Sequence, residues 1–398
     1  MVQRIITLLQ VAFLLLVIGC RQQPAGDGTV KKITFRPAET IDMGQLLGRV
    51  HFVQLENHPE SAFTDIDKMV VSGSNVFMLD KRLEAVFCFD TTGRFRFRIQ
   101  RIGRGPGEYR ELDAMWLEPS TNELWLQSFW PARIMIYDLD GNLLREKTIR
   151  WAAHDMVRIG QDLLAGYNTS RSDDGIDSLT EGVFLLDKEG GSLGQALTIG
   201  DTSIYWSLAN QRNLAEFEDG ALLLCQSDTL FRILPDGRVI PDIHLDWGKL
   251  RYPDELRGIS YYSPRAGEAL RGTYVSGKDQ LVAFGPIRLF RVFIDGHMEL
   301  AMADLVKGEG IYSTSISSSA TRIPLLYPLA RSEKDQLVGM YDIELLLAMK
   351  ESRAERPPEG AGNGVYHEMD SLVESALRQD RPVLWFADIK KELLTQIF

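Results

Sequence analysis

The chain has 398 residues, 44% of them apolar and 9% aromatic, which is enough for a large packed core and unlike a disordered chain. Its formal charge is −11, with no dense run of Lys and Arg. That excludes a phosphate-binding nucleic-acid face and electrostatic docking on anionic lipid.

The first element in the chain is Met1–Cys20. Arg4 supplies a positive charge, Ile5–Ile18 is mostly apolar with a polar break at Gln10, and Val17-Ile18-Gly19-Cys20 closes the run. The run is too short to span a bilayer and ends at a small residue, as secretory leaders do. Its last four residues resemble the lipobox of bacterial lipoproteins. The resemblance implies loss of residues 1–19 and acylation of Cys20, which makes outer-membrane lipid a partner. It points to the outer membrane because Arg21, not aspartate, follows the cysteine. The periplasmic face is favoured over the cell surface, since no acidic cluster follows directly. At about 0.8 kcal/mol per buried methylene, two or more acyl chains hold a protein durably. Residues 20–45 read as a flexible tether, with Pro24, Gly26 and Gly28 in its polar first part.

Beyond the tether a unit recurs: an apolar strand, a variable turn, a second strand, then an Asp/Gly turn. Its first copy is Val76–Leu79, Val86–Asp90 and Gly93. The second is Leu124–Leu126, Ile134–Asp138 and Gly141, and a third centres on Val183–Asp187 and Gly190. The fourth is Leu222–Leu224, Thr229–Ile233 and Gly237; the fifth is Leu281–Phe284, Leu289–Val292 and Gly296. The turn glycines step by about 48 residues, with a longer last step. A sixth copy is split: Gln336–Met340 and Pro382–Phe386 flank a helical insertion over 342–379. Within it Leu345, Leu346 and Met349 share a helix face. A hairpin unit of this period is a β-propeller blade. The expected fold is therefore all-β, a six-bladed β-propeller over 46–391 with a helical insertion in the last blade and a tail at 392–398. Val50–Leu55 would complete that last blade. Division of the span into seven blades remains open.

Gly103-Arg104-Gly105-Pro106-Gly107-Glu108-Tyr109 follows the first copy. It resembles the G-x-G-P-G-E-Y signature of the six-bladed β-propeller lipoproteins of Gram-negative bacteria. Ser227–Ile233 and Pro382-Val383-Leu384 look like the same family, and the likeness runs from Val50 to Lys391. What it implies is fold and export; it brings no reaction with it.

Several candidate sites follow. The Gly103–Tyr109 loop could expose amides to an anion beside Arg104, or could be a crossover in which Glu108 bonds those amides and Tyr109 packs. Aromatics outside the core strands form possible stacking platforms: Trp130 with Arg133, Tyr205 with Trp206, and Tyr261 with Tyr262. Tyr137–Asn142 looks like half a calcium loop but reads better as a hairpin turn, and the acidic loop at Asp173, Asp174 and Asp177 as a solvated one. Cys88 and Cys225 lie in apolar runs and read as small buried hydrophobes. The chain lacks H-E-x-x-H, G-x-S-x-G and C-x-x-C, and its six histidines are scattered. No catalytic residue, metal site or cofactor is therefore expected.

These features favour a lipid-anchored, non-catalytic binding module for an envelope protein or glycan. The alternative is a glycan hydrolase or lyase in the central channel, for which Asp113, Glu216 and Asp228 would have to converge. A third idea is a sensor that passes a signal to a membrane partner.

Overall fold

The computed structural model describes residues 30–168, 182–199, 212–257, 272–319, 328–355 and 364–396, with a few positions between 259 and 268. Cys20 and the leader lie outside the described residues. Three strands come first: β1 (Lys31–Pro37), β2 (Ile41–Asp42) and β3 (Leu47–Gln54). The first four-stranded antiparallel unit is β4 (Lys68–Ser72), β5 (Asn75–Asp80), β6 (Ala85–Asp90) and β7 (Phe95–Ile99). The second is β8 (Glu111–Glu118), β9 (Glu123–Trp130), β10 (Arg133–Asp138) and β11 (Leu143–Thr148). The third is β12 (Asp155–Ile159), β13 (Leu163–Asn168), β14 (Gly182–Asp187) and β15 (Ser192–Thr198). The fourth is β16 (Leu214–Phe217), β17 (Gly220–Leu223), β18 (Thr229–Ile233) and β19 (Val239–Asp246). The fifth is β20 (Val275–Phe284), β21 (Ile287–Ile294), β22 (His297–Asp304) and β23 (Glu309–Ser313), with β24 (Ile316–Ser317) after it. The last unit joins β25 (Ala330–Arg331), β26 (Gln336–Tyr341) and β27 (Val383–Ile389) to β3.

The middle strands explain the arrangement. β5 is buried at every position, because both of its faces meet a neighbouring unit. Val76 and Met78 pack toward the last unit, whereas Phe77 and Leu79 pack toward the second. Outer strands such as β11 are mostly exposed. The first strands of successive units lie side by side, β4 with β8, β8 with β12, β12 with β16 and β16 with β20, and β25 returns to β4. Arg331 on β25 also donates to the Ala283 carbonyl on β20 at 3.1 Å. The result is an all-β, propeller-like arrangement of units with apolar seams between them.

The Asp/Gly turns are legible in detail. In the first unit Asp90 Oδ1 accepts from the amides of Thr92 and Arg94, at 2.8 and 3.1 Å. Asp138 does the same for Asp140 and Asn142, and Asp187 for Glu189 and Gly191. Within Tyr137–Asn142 the Asp138 carboxylate therefore serves a hairpin turn, and Asp140 pairs with Arg96 at 3.0 Å. Gly93 closes its turn at φ +88°, where a Cβ would stand 2.1 Å from the Gln54 carbonyl oxygen at the end of β3.

Three expectations need correction. The fifth repeat was matched one strand out of register: Gly93, Gly141, Gly190 and Gly237 sit between the third and fourth strands of their units, but Gly296 sits between β21 and β22. Leu281–Phe284 is the end of the long first strand β20, whose register shifts between Asp279 and Val282. Residues 31–45, expected as part of the tether, belong to the folded unit instead. β1 runs parallel to both β19 and β23, with Ile33 and Phe35 buried and the Phe35 ring stacked 4.1 Å from Trp247. Finally, residues 392–394 are no free tail; they belong to α3 (Lys391–Leu394), and Leu393 and Leu394 pack on the core.

The insertion forms α1 (Ile343–Glu355) and α2 (Gly364–Gln379). Leu346, Met349, Val373 and Ala376 are buried against Trp385, Val383 and Leu47, so the helices cover the seam between the fifth and last units. Gln54 Nε2 donates to the Leu372 carbonyl at 3.2 Å, tying α2 to β3.

Gly93→Ala should destabilise the protein by about 1–3 kcal/mol through backbone strain, with the clash against β3 adding to it. Gly73→Ala, at φ +56° with nothing within 4 Å of the new Cβ, should cost less. Urea unfolding of the two variants compares them, and equal losses would mean that the contact with β3 is unimportant.

Candidate functional site

The Gly103–Tyr109 loop is a structural crossover. Glu108 Oε2 accepts from the Gly105 amide at 2.9 Å, and Glu146 Oε2 accepts from the Gly107 amide at 2.7 Å. Arg133 donates to the Gly105 carbonyl and to Glu146, both at 2.9 Å. Tyr109 is fully buried, with its hydroxyl 3.0 Å from the Glu84 carbonyl and 3.2 Å from that of Ile99. The amides that would cradle an anion are thus satisfied by the protein's own carboxylates. Glu108, Tyr109 and Arg133 leave the set of ligand-binding candidates for that reason, and Arg104 stands exposed, with no hydrogen bond among the described residues.

The aromatic platform is not assembled by the described residues. Trp130 is 53% exposed, its peptide bond to Pro131 is cis, and no ring among the described residues stacks on it. Tyr205, Trp206, Tyr261 and Tyr262 lie outside the described residues, as do Asp173, Asp174 and Asp177. Cys88 and Cys225 are buried free thiols; burial pushes Cys88 up to about 12, which leaves it unreactive. Among the described residues no group of His, Cys, Asp and Glu could hold a metal ion.

The three carboxylates of the hydrolase alternative do not converge. Asp228 is held by Arg251 Nε at 3.0 Å and by Arg257 at 3.5 Å. Asp113 lies beside Lys81 and Glu111 on another seam. Only Glu216 reaches the centre.

There the first strands of all six units line a cavity of about 490 Å³, within the usual range for small-ligand sites. Its charged lining comes from Lys68 on β4, Arg212 just before β16, Glu216 on β16, Glu218 just after it (paired with Arg232 at 3.3 Å), and Arg331, Glu333 and Asp335 around the β25–β26 turn. Lys68 pairs with Asp155 at 2.5 Å, and that carboxylate also accepts from the Leu214 amide at 2.8 Å. Arg331 pairs with Asp335 at 2.6 Å. Glu333 accepts from the Ser72 hydroxyl at 2.8 Å. Glu216 is open to the water of the cavity yet walled by protein, and burial pushes its carboxyl up against the pull of Lys68 and Arg212. Sequence reading named Glu216 but missed Arg212, Arg331 and Glu333.

A second ionisable group surrounds the junction of the first two units. Burial pushes Glu84 up to about 7, with the Leu112 amide opposing and Asp113 and Glu111 adding. Burial likewise pushes Asp113 up to about 6, with Lys81 opposing. Burial pushes His154 down to about 3, helped by Lys81. The two carboxyls hold protons to higher pH in the folded chain than in the unfolded one. Their stabilising effect is full below their ordinary values near pH 4 and is lost as pH rises through 6 to 7. His154 acts in the opposite sense, losing stability as pH falls from 6.5 toward 3. Relative to wild type, Glu84→Gln with Asp113→Asn should therefore gain about 1 kcal/mol at pH 8, after solvent screening, and little at pH 5. Thermal melts at the two pH values measure this, and an equal effect at both would mean that neither carboxyl is perturbed.

Together the ring of units and the ligand-sized central cavity define a β-propeller-like protein. The chain belongs to the family described as Domain of unknown function (DUF4934), whose model matches residues 30–387. Among solved structures it is similar to a candidate exported protein of Bacteroides fragilis, at 14% identity and a TM-score of 0.72. That match covers 90% of this chain and 99% of the other, and it supports the fold alone. A more distant likeness is BamB from Moraxella catarrhalis, at 12% identity and a TM-score of 0.37, covering 68% of this chain and 66% of that one. A DUF4221 member from Bacteroides vulgatus follows at 8% identity and a TM-score of 0.43, covering 67% and 85%. No curated protein matches the sequence.

Proposed function

We propose that the protein is an exported six-bladed propeller, anchored by acylated Cys20 to the periplasmic face of the outer membrane, that binds an envelope glycan fragment in its central cavity without turning it over. The cavity carries the reading: it is walled by all six first strands, has the volume of a small-ligand site, and presents carboxylate and guanidinium groups to a polar guest. Six four-stranded units support the blade count. An inward cavity suits a glycan end better than a protein surface, and the one exposed aromatic candidate among the described residues, Trp130, stands without a stacked partner. The separation of Asp113, Glu216 and Asp228 supports binding over hydrolysis. Export and anchoring rest on the Met1–Cys20 signal, the G-x-G-P-G-E-Y resemblance and the exported character given to the Bacteroides fragilis protein of similar fold.

Two measurements test this. Cys20→Ser should move the protein from the outer-membrane fraction to the soluble periplasm, and unchanged fractionation would overturn the anchor. The purified mature domain should bind soluble glycan fragments released from the envelope and return them chemically unchanged, whereas Glu216→Gln should weaken binding by about tenfold, or 1.4 kcal/mol. Chromatographic products would favour the hydrolase, and binding indifferent to Glu216 would remove the cavity from the site.

A further inference from the structure

The charges lining the cavity are not all matched by the protein. Lys68 is neutralised by Asp155, Arg331 by Asp335, and Glu333 has the Ser72 hydroxyl. Two groups remain. Among the described residues Arg212 donates one hydrogen bond, to the Leu329 carbonyl, and its Nε and second terminal nitrogen find no partner there. Glu216 has no hydrogen-bond partner among the described residues, although Lys68, Arg212 and Arg331 all act on its charge. Arg212 and Glu216 line the same cavity four residues apart, yet they form no ion pair within 4.0 Å. An unpaired guanidinium and an unpaired carboxylate therefore face one enclosed space.

Groups so placed lose hydration without recovering it in a pair. Burial pushes Arg212 down and Glu216 up from their ordinary values, and bound counter-charges would oppose both shifts. A neutral guest offers hydroxyls to each group and leaves both charges uncompensated. A guest with one charge compensates one of them and leaves the other. Glu333, whose charge is felt at Glu216, adds a second carboxylate on that side of the cavity and favours a cation there.

We propose that the ligand of the central cavity is zwitterionic, a sugar-sized molecule with a carboxylate that takes the free donors of Arg212 and a free ammonium that donates to Glu216. This rests on the reading that the cavity is the binding site and adds to it the chemical class of the guest. It concerns recognition alone and involves no covalent step.

Four monosaccharides on one hydroxylated scaffold separate the charges: muramic acid carries both, N-acetylmuramic acid only the carboxylate, glucosamine only the ammonium, and glucose neither. Calorimetric titration of the mature domain should rank muramic acid at least about tenfold tighter than either singly charged sugar, with glucose weakest. Glu216→Gln should abolish the preference for muramic over N-acetylmuramic acid, and Arg212→Met the preference for muramic acid over glucosamine. Arg212 also supports the Leu329 carbonyl and has φ +51°, so its variant is interpreted only with a wild-type-like melt; Glu216→Gln, which breaks no hydrogen bond, carries the test by itself. Equal affinities across the four sugars, no binding by any of them, or a preference that survives Glu216→Gln would each overturn the zwitterion. If envelope fragments still bind through Glu216 while the sugar preference is absent, the cavity reading stands and only the ligand class falls.

Discussion

A strand buried on both faces can be stable only if something packs on each side of it, and here that something is always another four-stranded unit. β5 illustrates the demand: alternate residues enter two different seams, so removing either neighbour would expose half of an apolar strand. The chain meets the demand by closing on itself. β3, from the N-terminal side, pairs antiparallel with β27, from the C-terminal side, from Val383 with Gln54 to Ala387 with Val50 and, after a register shift, Ile389 with Leu47. The first and last units are thereby held face to face, and His51 stacks on Phe386 at 4.9 Å beside that junction.

Closure also makes the cavity. First strands converging on one axis cannot fill its centre, so the side chains there meet water on one side and protein on the other. Polar groups are tolerated at such positions only when paired, and most are: Lys68 with Asp155, Arg331 with Asp335. The departures from that rule, Arg212 and Glu216, are conspicuous for the same reason. On the outer surface an unpaired Glu is unremarked; inside a ring it is costly and in need of an explanation.

The sequence announced the turns better than the strands. Gly93, Gly141, Gly190 and Gly237 are readable because their φ values between +78° and +88° favour glycine and because the preceding aspartates cap the turn amides. The fifth unit misled because β20 is ten residues long and kinked, with Gln280 at φ +54°, so its end resembles the second strand of the other units. β1 was mistaken for tether because Lys31–Pro37 has only two buried residues, and nothing local says that its partners lie more than two hundred residues away. The Gly103–Tyr109 loop was recognised as a loop, but one of the carboxylates that satisfies it, Glu146, sits on β11. Cavity residues were the hardest to find, since Lys68, Arg212, Glu216 and Arg331 share no local pattern and meet only through the ring.

β1 has a mechanical meaning as well. Its first half pairs with β19, Lys31–Thr34 against Ile243–Asp246, and its second half with β23, Thr34–Pro37 against Glu309–Tyr312. Both ladders are parallel, and Thr34 belongs to each. A pull on the chain from the N-terminal side therefore acts along the strand and strains both ladders in shear, so that their hydrogen bonds resist together instead of opening one by one. The same strand splices the fourth and fifth units, which spreads tension entering at residue 30 into two neighbours before it reaches the closing strand β3.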